Sequence, residues 1–300
     1  MLIDSWGFSY LLARRLRRRL PGLPLIKYVA PQVWASRPGR ARALARTFDL
    51  VLSIVAFEPP ILERAGAKVV FVGHPALARD FAKADPARLR ARIEAEEEDP
   101  ILLVLPGSRR AEVERLAPPF EAALRRLKAE RPALKVVVSV APTVAALVRE
   151  KTARWPGVHL IEDETGKDDA MRAATVALAC SGTATTELAA AGCPMVVAYK
   201  LGPLTYAIGR RIVRVRYITL FNIAADAEVA PELIQDEATG ARIAREIALR
   251  LDDKPRRERQ IAAQNAALEL LGGRGPAPGE RAAMAIAEIL AAQPRLSMGT

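Results

Sequence analysis

A chain of 300 residues, 51% of them apolar, suffices for two modest α/β domains with real cores. Two cysteines, Cys180 and Cys193, both in apolar surroundings, exclude a disulfide framework and a metal-ligand spacing, and no apolar run reaches the ~18 residues of a membrane span. The net charge of +11 and an isoelectric point near 10.1 call for an anionic partner: nucleic acid, an anionic membrane or a phosphorylated substrate. Nucleic acid ranks lowest, because no zinc finger, RNA-binding aromatic pattern or long basic tail accompanies the charge. Asp4 interrupts the N-terminal apolar residues, so no cleavable signal is expected, and the chain reads as soluble and cytoplasmic.

In chain order, Leu2-Ile3-Asp4 reads as the tail of a strand with Asp4 at its C-terminal mouth, the edge where open α/β sheets carry their chemistry. A helix follows from about Ser9 to Leu20. Leu12, Leu16 and Leu20 line one face, and the block Arg14-Arg-Leu-Arg-Arg-Arg19 covers much of the rest. Such a helix suits an anionic membrane surface, and equally a solvated face in an arginine-rich protein. Strands are expected at Leu25–Val29, Leu50–Val55 and Val69–Val72, with helices over Arg37–Thr47 and from Phe57 to about Ala65. Gly73-His74-Pro75 closes this series, with His74 a turn residue rather than a base. A charged helix over Pro86–Glu98 bridges to a second series.

The second series has strands at Ile101–Leu105, Val136–Val140, Val158–Ile161, Thr175–Cys180 and Met195–Tyr199. Helices are expected at 110–131, 144–153, 168–174 and 203–213, the last with a basic end at Arg210, Arg211 and Arg214. From Thr239 on the chain is helical, broken at Gly272–Pro276, and Arg295–Thr300 reads as a frayed tail. Strands alternating with helices imply parallel sheets with right-handed crossovers. The expected domains are 1–97, 98–253 and a C-terminal helical part, 254–300.

The second series is organised around Ala177–Pro194, an apolar strand, the small-residue turn Ser181-Gly182-Thr183 and a helix ending at Gly192 and Pro194. The first N–H groups of a helix lack partners within it, and the helix dipole adds positive charge there, so this turn suits a phosphate. Gly182 has no Cβ to keep the phosphate away. Ser181 and Thr183 offer hydroxyls, and Glu187, one turn on, suits a ribose diol. A plain capped helix in an α/β sheet is the alternative for this stretch alone. Gly107-Ser108-Arg109 ends an earlier strand, with Glu112 one turn later, and Arg109 could neutralise a diphosphate. A loop at Asn222 makes a third polar turn. No Gly-x-Gly-x-x-Gly and no Gly-Lys-Ser/Thr loop is present, which argues against a dinucleotide enzyme and a P-loop ATPase. Asp4 is the best acid or base candidate, with a turn cap as its plain alternative.

Several blocks in this order together carry a resemblance: Tyr28-Val-Ala-Pro-Gln-Val-Trp-Ala35, Phe57-Glu58, Val72-Gly-His-Pro75, Leu105-Pro-Gly-Ser-Arg109 with Glu112-Val113, Ser181-Gly-Thr-Ala184 with Glu187, Cys193-Pro-Met-Val-Val197 and Asn222. They resemble the lipid-A-disaccharide synthases over nearly the whole chain. The resemblance implies two Rossmann-like domains of the glycosyltransferase-B type, the first incomplete because the match starts well inside the family pattern, with the helices of 254–300 packing back toward the first. Ser5-Trp6-Gly7-Phe8 departs from the family's second acidic residue near Phe, and Ser36 from its second Trp. The implied reaction is inverting transfer of 2,3-diacylglucosamine from its UDP derivative to 2,3-diacylglucosamine 1-phosphate, in lipid A and hence lipopolysaccharide synthesis in bacteria.

Asp4 is then the implied general base. Ser108, Arg109, Glu112, Ser181, Gly182, Thr183, Ala184, Glu187 and Asn222 are the implied UDP-sugar site, with no metal and no cofactor. The implied setting is peripheral, on the cytoplasmic face of the inner membrane, with an anionic lipid surface as partner and a homodimer left open. Another UDP-sugar transferase or epimerase of the same fold, or a UDP-sugar-binding module impaired by the missing start, are the alternatives.

Overall fold

A computed structural model of the chain describes residues 1–202, 205–207, 215–272 and 275–291. The helix expected over 203–213 with its basic end at Arg210, Arg211 and Arg214, and the tail at 295–300, fall wholly or largely outside the described residues. The chain forms two compact units. One holds Met1–Ala78 with the described residues from Glu269 on, and the other holds most of the described residues from Arg79 to Leu268.

The first unit is a parallel sheet of four strands, β1 (Leu2–Ile3), β2 (Ile26–Tyr28), β3 (Leu50–Ser53) and β4 (Val69–Phe71), in the order β1-β2-β3-β4. Between them run α1 (Trp6–Arg19), α2 (Arg40–Thr47) and α3 (Pro59–Glu63). Strand β3 reads Leu-Val-Leu without alternation because both its faces are covered. Val51 packs with Ala13, Leu44, Phe48 and Leu62 on the helical side, while Leu50 and Leu52 point the other way. Leu44 is fully buried there, and truncating it to alanine would cost about 2–5 kcal/mol.

The second unit starts with α4 (Pro86–Arg92) and alternates β5 (Ile101–Leu105), α5 (Arg110–Glu130), β6 (Lys135–Ser139), α6 (Ala145–Thr152), β7 (Val158–Ile161), α7 (Glu164–Ala173), β8 (Val176–Cys180), α8 (Thr183–Ala190) and β9 (Met195–Tyr199). Then come α9 (Leu220–Ala225), β10 (Glu232–Ile234), α10 (Gly240–Asp252) and α11 (Lys254–Leu270). All six strands are parallel, in the order β10-β9-β8-β5-β6-β7. The chain builds outward from β5 in one direction and then, from β8, in the other. Their shared edge is the point where strand order reverses, which is where sheets of this kind bind ligands. The last helix, α12 (Pro278–Ala291), returns to the first unit, where Ala282, Ala285 and Ile289 recur at helical spacing against Ile26, Leu50, Leu52 and Val72.

Three expectations are corrected. The first unit ends at Ala78, not at 97, because the basic α4 is bound by charge to the acidic start of α7. Arg88 grips Asp169 with two bonds of 2.6 Å, Arg92 lies 2.7 Å from Asp163, and the Asp85 N–H donates to Asp169 at 2.7 Å. Of the C-terminal helices, only α12 packs back as expected. Helix α11 belongs mostly to the second unit, where the Gln260 and Gln264 amides donate to the Met195 and Cys193 carbonyls at 2.8 and 3.0 Å. The loop expected at Asn222 is helical, because α9 runs from Leu220 to Ala225, and the short strand β10 carries no sequence signal of its own.

One buried carboxyl ties the first unit together. Trp34 Nε1 donates to Glu58 Oε1 at 2.9 Å, and Glu58 Oε2 lies 2.7 Å from Ser53 Oγ. The same Ser53 hydroxyl donates to the Val55 carbonyl at 2.9 Å, and one proton cannot serve both oxygens. A protonated Glu58 resolves this by donating to Ser53 Oγ. Burial pushes the Glu58 carboxyl up to about 7, with the bonds from Ser53 and Trp34 acting against it. The folded value lies above the ordinary 4.5, so the unfolded chain releases this proton first. The contribution to stability is therefore full below pH 4.5 and is lost as the pH rises through about 7. Glu58→Gln should remove that loss, which amounts to about 3 kcal/mol. Urea midpoints at pH 5 and pH 8 check it; equal pH dependence in both proteins would refute the assignment.

Candidate functional site

At the reversal point a cavity of about 290 Å³ opens beyond the ends of β5 and β8. The two strands stay paired up to the last residue of β5, Leu105 against Ala179, one residue before β8 ends. Their turns, Gly107-Ser108-Arg109 and Ser181-Gly182-Thr183, therefore emerge side by side and line the cavity together. Right-handed crossovers send α5 and α8 to opposite faces of the sheet, so two helix starts flank one opening.

The β5 turn is held by Glu112. Its Oε2 accepts from the Ser108 and Arg109 N–H groups at 3.1 and 3.2 Å, and its Oε1 accepts from Arg109 Nη1 at 2.6 Å. A carboxylate three residues into a helix that receives the N-cap backbone is a capping box. Gly107 makes this possible. Its φ is +120°, and a Cβ there would stand 2.7 Å from the Glu112 Cβ. The Arg109 side chain is otherwise exposed, and its pairing with Glu112 holds its pKa above the ordinary arginine range. It is a permanent cation, fixed at its root, at the mouth of the cavity.

At the β8 turn, Thr185 folds the chain back by donating both its N–H, at 3.1 Å, and its hydroxyl, at 2.7 Å, to the Gly182 carbonyl. The start of α8 is then left for an anion. One turn on, Glu187 is nearly buried and already engaged, with Lys167 Nζ 2.9 Å and Arg79 Nη1 3.3 Å away. Arg79 in turn binds Asp168 and Glu164, each at 2.6 Å. Burial, aided by the Glu112 charge, pushes the Cys180 thiol up to about 12, so this cavity-lining cysteine is no nucleophile.

Of the expected site residues, Ser108, Arg109, Glu112, Ser181, Gly182, Thr183, Ala184 and Glu187 all line this one cavity. Glu112 serves it as the carboxylate that fastens the turn and the arginine. Asn222 is a correction, because it is fully buried and does not line the cavity. Its amide nitrogen donates to the Ala230 carbonyl and Glu232 Oε1, both at 2.8 Å, and its oxygen accepts from the Val229 and Ala230 N–H groups at 2.9 and 3.0 Å. All four of its bonding sites are used within the protein. Asp4 lies in the first unit, exposed at the end of β1. His74 is a buried turn residue whose Nδ1 accepts from the Ala76 N–H at 3.2 Å.

Sequence reasoning missed the wall formed by Ser139–Pro142 beyond β6 and by Glu164 and Lys167 of α7. Lys167 lies in no motif. Only its nearness in space to Glu187, twenty residues on, gives it a role.

A parallel sheet whose strand order reverses at a cavity, in a chain with a second parallel α/β unit, is the architecture of the glycosyltransferase-B class. The fold matches a Staphylococcus aureus MnaA–UDP co-structure with a TM-score of 0.61 at 15% identity, covering 95% of this chain and 80% of that one. It also matches UDP-GlcNAc 2-epimerase from Neisseria meningitidis bound to UDP-GlcNAc, with a TM-score of 0.60 at 12% identity, covering 96% and 75%. In sequence, the profile of the family described as lipid-A-disaccharide synthetase matches residues 1–284. The lipid-A-disaccharide synthase of Ruegeria pomeroyi is 45% identical, over 96% of this chain and 73% of that protein. The Rhodospirillum centenum enzyme is 41% identical, over 96% and 72%. The chain belongs to the lipid-A-disaccharide synthase family and is a glycosyltransferase of lipid A biosynthesis that uses a UDP-sugar. It spans about three quarters of the length of these relatives.

Glu112→Gln keeps the shape of the capping box but removes the charge that steadies Arg109. UDP affinity, read by calorimetry, should fall about tenfold, the scale of one charge-assisted bond. Unchanged affinity would show that the turn holds without it.

Proposed function

We propose that the cavity at the β5–β8 edge holds the UDP of UDP-2,3-diacylglucosamine, and that the acceptor is 2,3-diacylglucosamine 1-phosphate. The convergence of the two turns on one cavity carries this reading. The acceptor's 6-hydroxyl oxygen bonds to the anomeric carbon of the donor as the bond from that carbon to the UDP oxygen breaks. The hydroxyl proton passes to the Asp4 carboxylate, and UDP departs with the bonding electrons. Charge grows on the diphosphate, and the N–H groups at the start of α8, the Ser181 and Thr183 hydroxyls and Arg109 face that charge already organised. Glu187, oriented by Lys167 and Arg79, accepts from the ribose hydroxyls.

Both substrates of this proposal carry acyl chains, so the reaction calls for a membrane surface, which we assign to the cytoplasmic face of the inner membrane. No helix among the described residues is long and apolar enough to cross a membrane. A surface contact is favoured by a cleft of about 530 Å³ between α1 and α2, lined by Arg14, Arg17, Arg18, Arg42 and Arg46. Of these five, only Arg17 has a carboxylate partner among the described residues, Asp49 at 2.6 Å. Anionic phospholipid vesicles should co-sediment with the protein at low salt and release it as salt rises. Arg42→Glu with Arg46→Glu should weaken that binding. Sedimentation indifferent to lipid charge would rule out the contact.

Calorimetry with UDP and a turnover assay separate the roles. Arg109→Ala should lose UDP binding, by a hundredfold or more (about 3 kcal/mol for a charged donor pair). Asp4→Asn should keep UDP binding and lose turnover by about 10²–10⁴. An Arg109→Ala protein with native UDP affinity overturns the donor placement, and a fully active Asp4→Asn enzyme removes Asp4 from the chemistry.

A further inference from the structure

Beneath Asp4 lies an amine that the transfer chemistry leaves unused. Lys27, in the middle of β2, is 1% exposed. An ammonium has three N–H donors. Here three oxygens surround it: the Asp4 carbonyl, the Ser9 hydroxyl at 3.4 Å and the Tyr28 carbonyl at 3.4 Å. No carboxylate forms an ion pair with it among the described residues. A cation so placed is costly, and burial pulls its pKa down to about 8, with the negative charge of Asp4 opposing the fall.

The backbone above it is strained. Asp4 and Ser5 have φ of 44° and 43°, two successive left-handed residues, neither of them glycine. L-residues avoid this region, and where it persists the surroundings must impose it, most often at functional positions. The imposing contacts converge on the Asp4 peptide. Its N–H donates to the Tyr28 carbonyl at 2.9 Å, and its own carbonyl accepts from the Ser9 hydroxyl at 2.6 Å and from Lys27. Ser9 is as buried as Lys27, on the first turns of α1. The Asp4 residue is thus gripped by its main chain from below while remaining exposed at the strand mouth.

We infer that Lys27, acting with Ser9, is a positioning residue for the reaction, holding the Asp4 main chain in the left-handed conformation that presents its carboxylate to the acceptor. This rests on Asp4 being the general base. A lysine that merely filled the core would have no reason to aim all three donors at this one corner, where methionine could fill the same space without a buried charge.

Lys27→Met tests the inference by removing the donors and keeping the length. The expected result is a fall in kcat of about 10²-fold, the scale of a misplaced reacting group, with the donor KM and UDP affinity unchanged. Ser9→Ala, which leaves the buried amine in place, should lower kcat about tenfold in the same pattern. In an Asp4→Asn background, Lys27→Met should cause no further loss, because the residue it positions is already gone. Native kcat in Lys27→Met would overturn the inference. So would a parallel loss of UDP binding, which marks general damage, or losses that multiply in the double variant. Should Lys27→Met fail to fold, Ser9→Ala decides alone, and native kcat there is the overturning result. Asp4→Asn by itself reports on the base assignment. An active Asp4→Asn enzyme defeats that assignment, whereas an inactive one beside a fully active Lys27→Met defeats only the positioning role.

Discussion

A parallel sheet that grows from one strand in both directions must leave a gap where its direction changes. The gap lies at the edge shared by β5 and β8. Neighbouring strands there end within a residue of each other, but their following helices depart to opposite faces, so neither helix covers the space between the two turns. The start of each helix carries N–H groups without helical partners. Topology therefore supplies a concave, electropositive spot before any special side chain is considered. The residues that matter chemically tune that spot: Gly107 lets the turn close on Glu112, Glu112 fixes Arg109, and Thr185 folds the turn before α8.

Buried or half-buried charge recurs wherever the protein has something to hold in place. Glu112 receives two backbone N–H groups and an arginine; Glu187 sits between a lysine and an arginine; Lys27 is surrounded by three oxygens. A single charge satisfied by several fixed dipoles resists displacement more than an apolar contact does, because leaving any partner unmet in a low dielectric is costly. The apolar interior provides the platform, Leu102, Val104, Val136, Val138 and Leu178 against α5 and α10, and the charged residues aim groups from it. The α4–α7 charge contacts show the same logic at the scale of elements. They assign a short arginine-rich helix to the second unit although its sequence reads as a linker.

Most of the lining of the β5–β8 cavity was legible in sequence because it is local. Strand, small-residue turn and helix lie within one stretch of chain, and the periodicity of apolar residues marks where each strand ends. Asn222 was misread for the same reason that Lys167 was missed. Along the chain a lone asparagine looks the same whether it faces a cavity or, as Asn222 does from α9, saturates the loop that follows its helix and Glu232. Lys167 sits on a helix with no motif around it, and nothing along the chain hints that Glu187 is its neighbour.

The amino-acid order alone determined the alternation of parallel strands and helices, the two phosphate-type turns and the family, since each depends on residues adjacent in the chain and on short-range backbone preferences. Only the tertiary structure decided which turns share a cavity, where the units divide, that Asn222 is sealed in and that Lys27 lies under Asp4. Those outcomes depend on which strands become neighbours and on which buried charges find partners, and such pairings join residues far apart in sequence through burial and electrostatics that no local pattern encodes.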